Sequence, residues 1–208
     1  MIFTAIPAAV DFMRHSAINL HETVILVADP SAYLRKIVVS ILPGFGTKSL
    51  LEVDSAAGLM RAMNGQRIDV LLCDSRLPDQ DGFAATITIR RDPVSPYRTI
   101  PILIMTSDTR ETSIRQARDS GANMVIAKPL SPRALYDRLA WVALNSRPFV
   151  DCDNYFGPDR RYKIEGYPGG VGRRRGDKPI EVAQETGPAL EQDDIDNLFN
   201  AARVGLAQ

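Results

Sequence analysis

The sequence is poor in cysteine, histidine and tryptophan, and it contains no long apolar run. Its 208 residues include two cysteines, two histidines and one tryptophan. Cys73 falls inside an apolar stretch typical of a buried strand, so a reducing cytoplasm is expected and a disulfide framework is not. No apolar run approaches the roughly 20 residues that span a bilayer, and the apolar start of the chain lacks the basic region of a secretory signal. We therefore expect a cytoplasmic protein without a membrane span.

The chain also lacks a net charge. Its 25 acidic and 25 basic residues cancel, so the overall field gives no reason to expect a nucleic acid or a membrane as partner. The length allows one domain with appendages, since a domain typically holds roughly 100–200 residues.

Apolar strand-like runs alternate with helical segments through most of the chain. The runs lie at about 24–28, 49–53, 69–73, 101–105 and 123–127. The segments with helical periodicity lie at about 31–42, 55–64, 82–92, 109–120 and 131–145. Strands that alternate with helices of about 10–15 residues predict βαβ units and a parallel sheet. Ser55 and Ser131 are predicted helix caps, with Pro132 in the first turn. The predicted fold class is α/β, a doubly wound five-stranded parallel sheet.

Polar residues close four of the apolar runs. Asp29 follows the first run, Asp74 the third, Thr106 the fourth and Lys128 the fifth. In an open α/β sheet, the carboxyl ends of the strands are where ligands bind. We therefore expect these side chains to meet at one edge of the sheet.

Proline and glycine residues at fixed distances after two of these strand ends make the pattern more specific. Pro78 and Gly82 follow Asp74 and force a turn, and Pro129 follows Lys128. Together with Asp29 and Thr106, this pattern is similar to the receiver domain of two-component response regulators, the CheY-like fold, over residues 22–146. The resemblance implies the strand order 2-1-3-4-5.

The resemblance also implies a chemistry, the Mg²⁺-assisted transfer of a phosphoryl group from a phosphohistidine to an aspartate. Asp74 would be the phosphoacceptor, and Mg²⁺ would be held by Asp29, Asp74 and the backbone carbonyl of Arg76. Lys128 would pair with the phosphoryl group and the Thr106 hydroxyl would hydrogen-bond to it. The implied partner is a sensor histidine kinase or a phosphotransfer protein, and the domain is a phosphoacceptor rather than an enzyme. A structural ion pair between Asp29 and Lys128 is the alternative.

Two positions depart from the family pattern. Pro30 stands where receivers usually carry a second acidic residue, and one carboxylate fewer weakens Mg²⁺ binding because affinity for a hard cation rises with ligand charge. Val125 stands where an aromatic ring commonly reports phosphorylation. Phosphorylation is compatible with both departures, but readout through a moving ring is not.

The composition changes after the predicted domain. Segment 148–188 holds seven Gly and five Pro with little periodicity, so residues 147–189 are predicted to form a flexible, largely irregular tail. Two basic clusters within it resemble CheY-like effectors that bind cyclic di-GMP, because arginine can bind and stack on guanine. The candidate residues are Arg160, Arg161, Tyr162, Arg173, Arg174 and Arg175. A solvated linker, an RNA site and a site for acidic proteins are the alternatives.

The end of the chain, residues 190–204, is predicted to be a short amphipathic helix. Ile195, Leu198, Phe199 and Ala202 share one face by their spacing. The stretch is similar to the peptide at the start of flagellar switch proteins that docks on CheY-like receivers. It could bind in cis, recruit another protein, or simply pack on its own domain.

The favoured hypothesis is a single-domain response regulator, preceded by an extension at 1–21, that is phosphorylated on Asp74 and signals through protein contacts. Chemotaxis or flagellar motor control is one candidate role, and no DNA-binding output domain is expected. The alternative is a pseudo-receiver adaptor, independent of phosphorylation and gated by a nucleotide or a partner. Pro30 and Val125 favour the adaptor, whereas the intact Asp74, Thr106 and Lys128 oppose it.

Overall fold

Five parallel strands form one sheet in the computed structural model, which describes residue 18 and residues 20–160 of the chain. In chain order they are β1 (Val24–Ala28), β2 (Ser49–Val53), β3 (Val70–Asp74), β4 (Ile102–Thr106) and β5 (Met124–Ala127). Their order in space is β2-β1-β3-β4-β5. The predicted fold class and strand order are therefore confirmed.

Five α-helices cover the two faces of this sheet. They are α1 (Ala32–Ile41), α2 (Ala56–Gly65), α3 (Gly82–Arg91), α4 (Glu111–Asp119) and α5 (Pro132–Leu144). The predicted caps are confirmed, since Ser55 accepts a hydrogen bond from the Gly58 amide and Ser131 accepts one from the Ala134 amide. No helix within the described residues is long and apolar enough to cross a membrane.

The core has two halves, one on each face of the sheet. All five residues of β3 are buried, and neighbouring side chains on a strand point to opposite faces. Leu72 accordingly packs in the half that contains Val38 of α1, whereas Leu71 packs in the half that contains Leu59 of α2. This double burial explains the continuous aliphatic runs of the sequence.

The core also includes residues of the predicted extension 1–21. Ile18 and Leu20 are 3% and 1% exposed and belong to the half of the core that lies against helices α1 and α5. The Ile18 amide donates to the Tyr136 hydroxyl at 3.0 Å, and the Leu20 amide donates to the Phe45 carbonyl at 3.1 Å. The folded unit therefore begins earlier than the predicted boundary at residue 22.

The chain after α5 differs from the predicted tail. Residues 149–158 form an antiparallel hairpin, β6 (Phe149–Cys152) and β7 (Tyr155–Pro158), instead of irregular chain. The Arg98 guanidinium lies 3.5 Å from the centroid of the Phe156 ring, and Arg98 also pairs with Asp151 at 3.1 Å. Because Arg98 lies about 50 residues earlier in the chain, the local periodicity of residues 148–158 gave no sign of this contact.

Candidate functional site

Four of the predicted site residues meet at the carboxyl edge of the sheet. Asp29 follows β1, Asp74 ends β3, Thr106 ends β4 and Lys128 follows β5. Asp29, Asp74 and Thr106 are buried, at 1%, 7% and 1% exposure. The structure therefore places them together at the edge where the parallel strands end, as their strand-end spacing predicted.

The Lys128 ammonium joins the two aspartates. Its Nζ donates to Asp29 Oδ2 at 2.5 Å and also donates to Asp74 Oδ2. The Lys128 side chain is 11% exposed, and a buried carboxylate needs such a partner because desolvation otherwise favours its neutral form. Two carboxylates and one ammonium leave this cluster with one net negative charge.

The other oxygens of the two carboxylates are held by backbone amides. Asp29 Oδ1 accepts from the Ser31 amide at 2.8 Å, and Asp74 Oδ1 accepts from the Arg76 amide at 2.6 Å. These bonds fix the orientation of each carboxylate, so that one oxygen of each faces Lys128. Backbone amides of neighbouring residues thus hold both carboxylates in place.

Gly82 allows the loop after Asp74 to close tightly. A Cβ built at Gly82 would lie 1.9 Å from the Asp74 carbonyl oxygen, and the Gly82 amide donates to the Ser75 carbonyl at 3.0 Å. A side chain at this position would force the backbone of Asp74 to move. The sequence spacing between Asp74 and Gly82 thus reflects a steric requirement.

Thr106 is bound to a neighbour that the sequence analysis did not select. The Ser75 hydroxyl donates to Thr106 Oγ1 at 3.0 Å, and the Asp108 amide donates to the same oxygen at 3.1 Å. A second bond joins the same two loops, from Arg76 Nη2 to Ser107 Oγ at 2.9 Å. The one available signal for Ser75 was its place directly after Asp74.

Asp108 and Arg110 form an exposed ion pair beside Thr106. The Arg110 guanidinium approaches the Asp108 carboxylate to 2.6 Å. Hydrogen bonds from the Arg110 side chain and amide lower the pKa of Asp108 to about 2. This pair lies at the rim of the site and keeps its carboxylate charged.

Cys73 lies next to Asp74 but remains a neutral thiol. Burial raises its pKa well above the ordinary range, and the nearby charge of Asp74 raises it further. A thiolate is the reactive form of cysteine, so Cys73 serves as a core residue. It is fully buried in the half of the core formed with α2, α3 and α4.

Pro30 and Val125 depart from the pattern of the resembled family, and the structure shows the surroundings of both. Pro30 is exposed beside Asp29, and the part of the chain that the structure describes contains no group of three or more His, Cys, Asp or Glu side chains that could hold a metal ion. Val125 is partly buried in β5. No second carboxylate comes from position 30, and no ring is available at position 125.

The predicted nucleotide site in the tail is represented by Arg160 alone. Its guanidinium pairs with Asp119 at 2.6 Å and lies 4.1 Å from the centroid of the Tyr155 ring. The structure therefore places Arg160 beside α4, away from the aspartate cluster. The other candidates lie outside the described residues: Arg161, Tyr162, Arg173, Arg174 and Arg175.

Comparison with known families agrees with this fold and arrangement. Residues 25–140 match the response regulator receiver domain, which is more than half of the 208-residue chain. The chain belongs to the response regulator receiver domain family.

Similar proteins include two sensor proteins and a chemotaxis protein. The chain is 29% identical over 136 residues to the sensory/regulatory protein RpfC of Xanthomonas campestris, and 30% identical over 123 residues to the CAI-1 autoinducer sensor kinase/phosphatase CqsS of Vibrio cholerae. These matches cover 65% and 59% of this chain but span only 18% of the length of each sensor protein. Chemotaxis protein CheY1 of Helicobacter pylori is 27% identical over 116 residues, which are 55% of this chain and 92% of CheY1.

Solved structures of receivers superpose on the same region. The chemotaxis response regulator CheY4 of Vibrio cholerae has a TM-score of 0.54 and 25% identity, covering 58% of this chain and 98% of CheY4. The receiver domain of sensor histidine kinase PA1611 from Pseudomonas aeruginosa has a TM-score of 0.51 and 26% identity, covering 57% and 94%. That receiver holds a magnesium ion in its active site cleft.

Proposed function

We propose that this protein is a response regulator that accepts a phosphoryl group on Asp74. The observation that carries the proposal is the Lys128 ammonium, which contacts both Asp29 and Asp74 at the carboxyl edge of the sheet. A charged carboxylate held in place by an amide and an ammonium is a suitable nucleophile. It is also close to the positive charge that phosphoryl transfer requires.

In the proposed reaction, an Asp74 carboxylate oxygen attacks the phosphorus of a phosphohistidine. The new O–P bond forms as the N–P bond of the donor breaks, and the donor histidine keeps the electron pair of that bond. Lys128 already lies against Asp74, so its ammonium can follow the negative charge as that charge moves onto the phosphoryl oxygens. This charge stabilisation is the main contribution that a protein makes to phosphoryl transfer.

Thr106 has a separate role in this proposal. Its hydroxyl oxygen accepts bonds from the Ser75 hydroxyl and the Asp108 amide, and its own proton makes only a long bond of 3.5 Å to the Asp108 carbonyl. We assign that proton to a phosphoryl oxygen on Asp74. Thr106 then links the modified aspartate to the loop after β4, whose position can change with phosphorylation.

The residues present fit a magnesium ion. The carboxylates of Asp29 and Asp74 and the carbonyl of Arg76 are hard oxygen donors, and Mg²⁺ usually keeps several waters in addition to one or two carboxylates. When bound, the ion would neutralise charge on the phosphoryl group. The magnesium ion in the PA1611 receiver supports this part of the proposal.

The donor and the output are proposed from chemistry and likeness. A sensor histidine kinase or a phosphotransfer protein would supply the phosphohistidine. The output would be a protein–protein contact, and the likeness to CheY1 of Helicobacter pylori makes chemotaxis the first role to test.

Phosphorylation can be tested with a small-molecule phosphodonor, Mg²⁺ and intact-mass spectrometry. The wild-type protein should gain one phosphoryl group, and Asp74→Asn should gain none. Asp108→Asn is the matched control, because Asp108 is a nearby carboxylate outside the cluster with Lys128. Equal phosphorylation of wild type and Asp74→Asn would refute the assignment.

A second candidate function is the phosphorylation-independent adaptor. Pro30 and Val125 favour it, since the first removes a metal carboxylate and the second removes the reporting ring. The two functions differ in what Asp74→Asn does to partner binding in cells. Loss of the output supports the phosphoacceptor, and an unchanged output supports the adaptor.

Binding of cyclic di-GMP by the arginine-rich segment stays a prediction. Its test is a comparison of cyclic di-GMP with its adenine counterpart, using the full chain and a variant in which Arg173, Arg174 and Arg175 are all alanine. Guanine-selective binding that is lost in the variant would support it. Equal binding of the two dinucleotides would leave the segment as a charged linker.

A further inference from the structure

An open groove lies between α4, β5 and α5. Its volume is about 380 Å³. The lining combines apolar side chains with arginines: Ile114, Met124, Val125, Arg118, Arg138 and Arg147. It is separate from the aspartate cluster, so nothing in the proposed phosphoryl transfer uses it.

The groove is apolar because β5 is an edge strand. No strand pairs with β5 on its outer side in the described sheet, and Met124 and Val125 are only partly buried. All residues of β3 and β4, in contrast, are buried. Ile114 on α4 is also 37% exposed. Apolar surface is thus left uncovered at one side of the sheet.

The arginines give the groove a positive charge. Arg118 has a carboxylate nearby, since its Nε lies 3.5 Å from Asp119 Oδ1. Arg160 approaches the same oxygen to 2.6 Å, so two guanidinium groups share one carboxylate. An acidic segment with apolar side chains on one face would complement this surface.

The C-terminal end of this chain has that composition. Residues 190–202 carry Ile195, Leu198 and Phe199 at spacings that place them on one face of a helix. The same stretch contains four acidic residues and no basic one: Glu191, Asp193, Asp194 and Asp196. Its charge and its apolar stripe both match the groove.

The path of the chain favours binding within one molecule. Arg160, the last described residue, contacts Asp119 beside Arg118 of the groove. Residues 161–189 then connect it to the acidic segment. A chain of that length spans up to about 95 Å when fully extended, whereas a domain of this size has a radius of gyration of about 14 Å. The segment can therefore reach the groove from where the chain leaves the hairpin.

We propose that residues 190–202 bind the groove between α4, β5 and α5 of their own chain. Ile195, Leu198 and Phe199 cover the apolar side chains, and the acidic residues face Arg118, Arg138 and Arg147. Because the segment and the groove belong to one chain, their binding is intramolecular and depends on an effective concentration rather than on the concentration of the protein. A partner for this face must therefore compete with the protein's own C-terminus. The proposal does not depend on phosphorylation of Asp74.

NMR of the full chain tests this with two kinds of substitution. In the first, the C-terminal segment is changed and the amide signals of the groove are observed. Leu198→Asp should shift the amide signals of Ile114, Met124 and Val125, because it removes an apolar contact. Leu206→Asp, the same change outside the segment, should leave those signals in place. Signals of β2, at the opposite edge of the sheet, report that the fold is intact.

The groove is then changed and the tail is observed. Arg138→Glu should shift the amide signals of Ile195 and Phe199, whereas Arg61→Glu, on the exposed surface of α2, should not. Unchanged groove signals in Leu198→Asp together with unchanged tail signals in Arg138→Glu would overturn the proposal. Shifts that disappear on dilution would overturn it as well, since they would assign the groove to the tail of a second copy.

Discussion

Each end of the sheet buries a cationic side chain, but the groups that bind the cation differ between the two ends. At the carboxyl end, Lys128 lies between the carboxylates of Asp29 and Asp74. At the amino end, the fully buried Arg90 binds neutral acceptors. Its three nitrogens donate to the carbonyls of Gly121 and Arg98 and to Asn123 Oδ1, at 2.8–3.0 Å.

The hairpin completes the amino end. The Arg90 guanidinium lies 5.1 Å from the centroid of the Phe149 ring, and Gly121, with φ of +93°, lies against the backbone of Phe156 and Gly157. Burial lowers the pKa of Arg90, but a fork of donors matched to three acceptors offsets that cost. The amino end is therefore built for stability.

The carboxyl end carries the proposed phosphoacceptor. Two carboxylates and one ammonium leave one net negative charge in a buried place, and the proposed phosphoryl transfer would change that charge. A buried cation thus accompanies the proposed reactive site only where its partners are themselves charged. Substitutions at the two ends test this difference, with the largest expected effects first.

Lys128→Ala should have the largest effect, on reactivity. Removing the ammonium leaves two buried carboxylates facing each other and takes away the charge that stabilises transfer. We expect phosphorylation by a small-molecule donor to slow by about 100-fold or more, the range for loss of one preorganised stabilising group. The rate is followed by intact-mass spectrometry. Lys36→Ala, an exposed lysine on α1, is the control, and equal rates for the two variants would contradict the proposed role.

At the amino end of the sheet, Arg90→Met should have the largest effect, and this effect is on the stability of the fold. The substitution removes the Arg90 donors to the carbonyls of Gly121 and Arg98 and one of the two donors to Asn123 Oδ1, and we expect the free energy of unfolding to fall by about 3 kcal/mol. Urea denaturation measures this. Arg91→Met, at the exposed neighbouring position, should change it by less than about 0.5 kcal/mol. The folded Arg90→Met protein should still be phosphorylated at the wild-type rate; a slower rate would show that the two ends are coupled.

Pro30→Asp should strengthen magnesium binding at the carboxyl end. A further carboxylate beside Asp29 adds an attractive interaction on the order of 1–2 kcal/mol for a partly exposed site, and titration calorimetry measures it. Pro93→Asp places the same charge in the exposed loop between α3 and β4 and should leave the affinity unchanged. Unaltered or weaker affinity in Pro30→Asp would mean that position 30 does not face the metal.

Asp108→Asn should have the smallest effect, because its ion pair is exposed. Arg110 lowers the pKa of Asp108 to about 2 in the folded protein, below its ordinary value of about 4. As the pH falls, Asp108 therefore binds a proton in the unfolded chain before it does so in the folded protein. Its carboxylate stabilises the fold above about pH 4, and this contribution is lost as the pH falls towards 2. The variant should show a slightly flatter fall in stability across this interval. A fall as steep as in wild type would show that the pair contributes nothing.

Much of the receiver could be predicted from the sequence, for local reasons. Strands buried on both faces leave continuous aliphatic runs, as in 70–73 and 102–105, and these runs set the alternation with helices. Asp29, Asp74, Thr106 and Lys128 could be selected because each closes such a run, and strands in a parallel sheet end at one edge. Ser75 could not, since its bond to Thr106 joins residues 31 positions apart.

The hydrophobic pattern and the spacing over a few residues are enough to predict the sheet, its strand ends and the residues gathered there. The folded chain adds that Ile18 and Leu20 complete the core, that residues 149–158 form a hairpin, and that Arg90 is buried without a carboxylate. The hairpin shows the reason. Its stabilising contacts come from Arg90, Arg98 and Gly121, which lie far away in sequence. Contacts between distant residues leave no periodic signal in either segment, so they become visible only when the chain is folded.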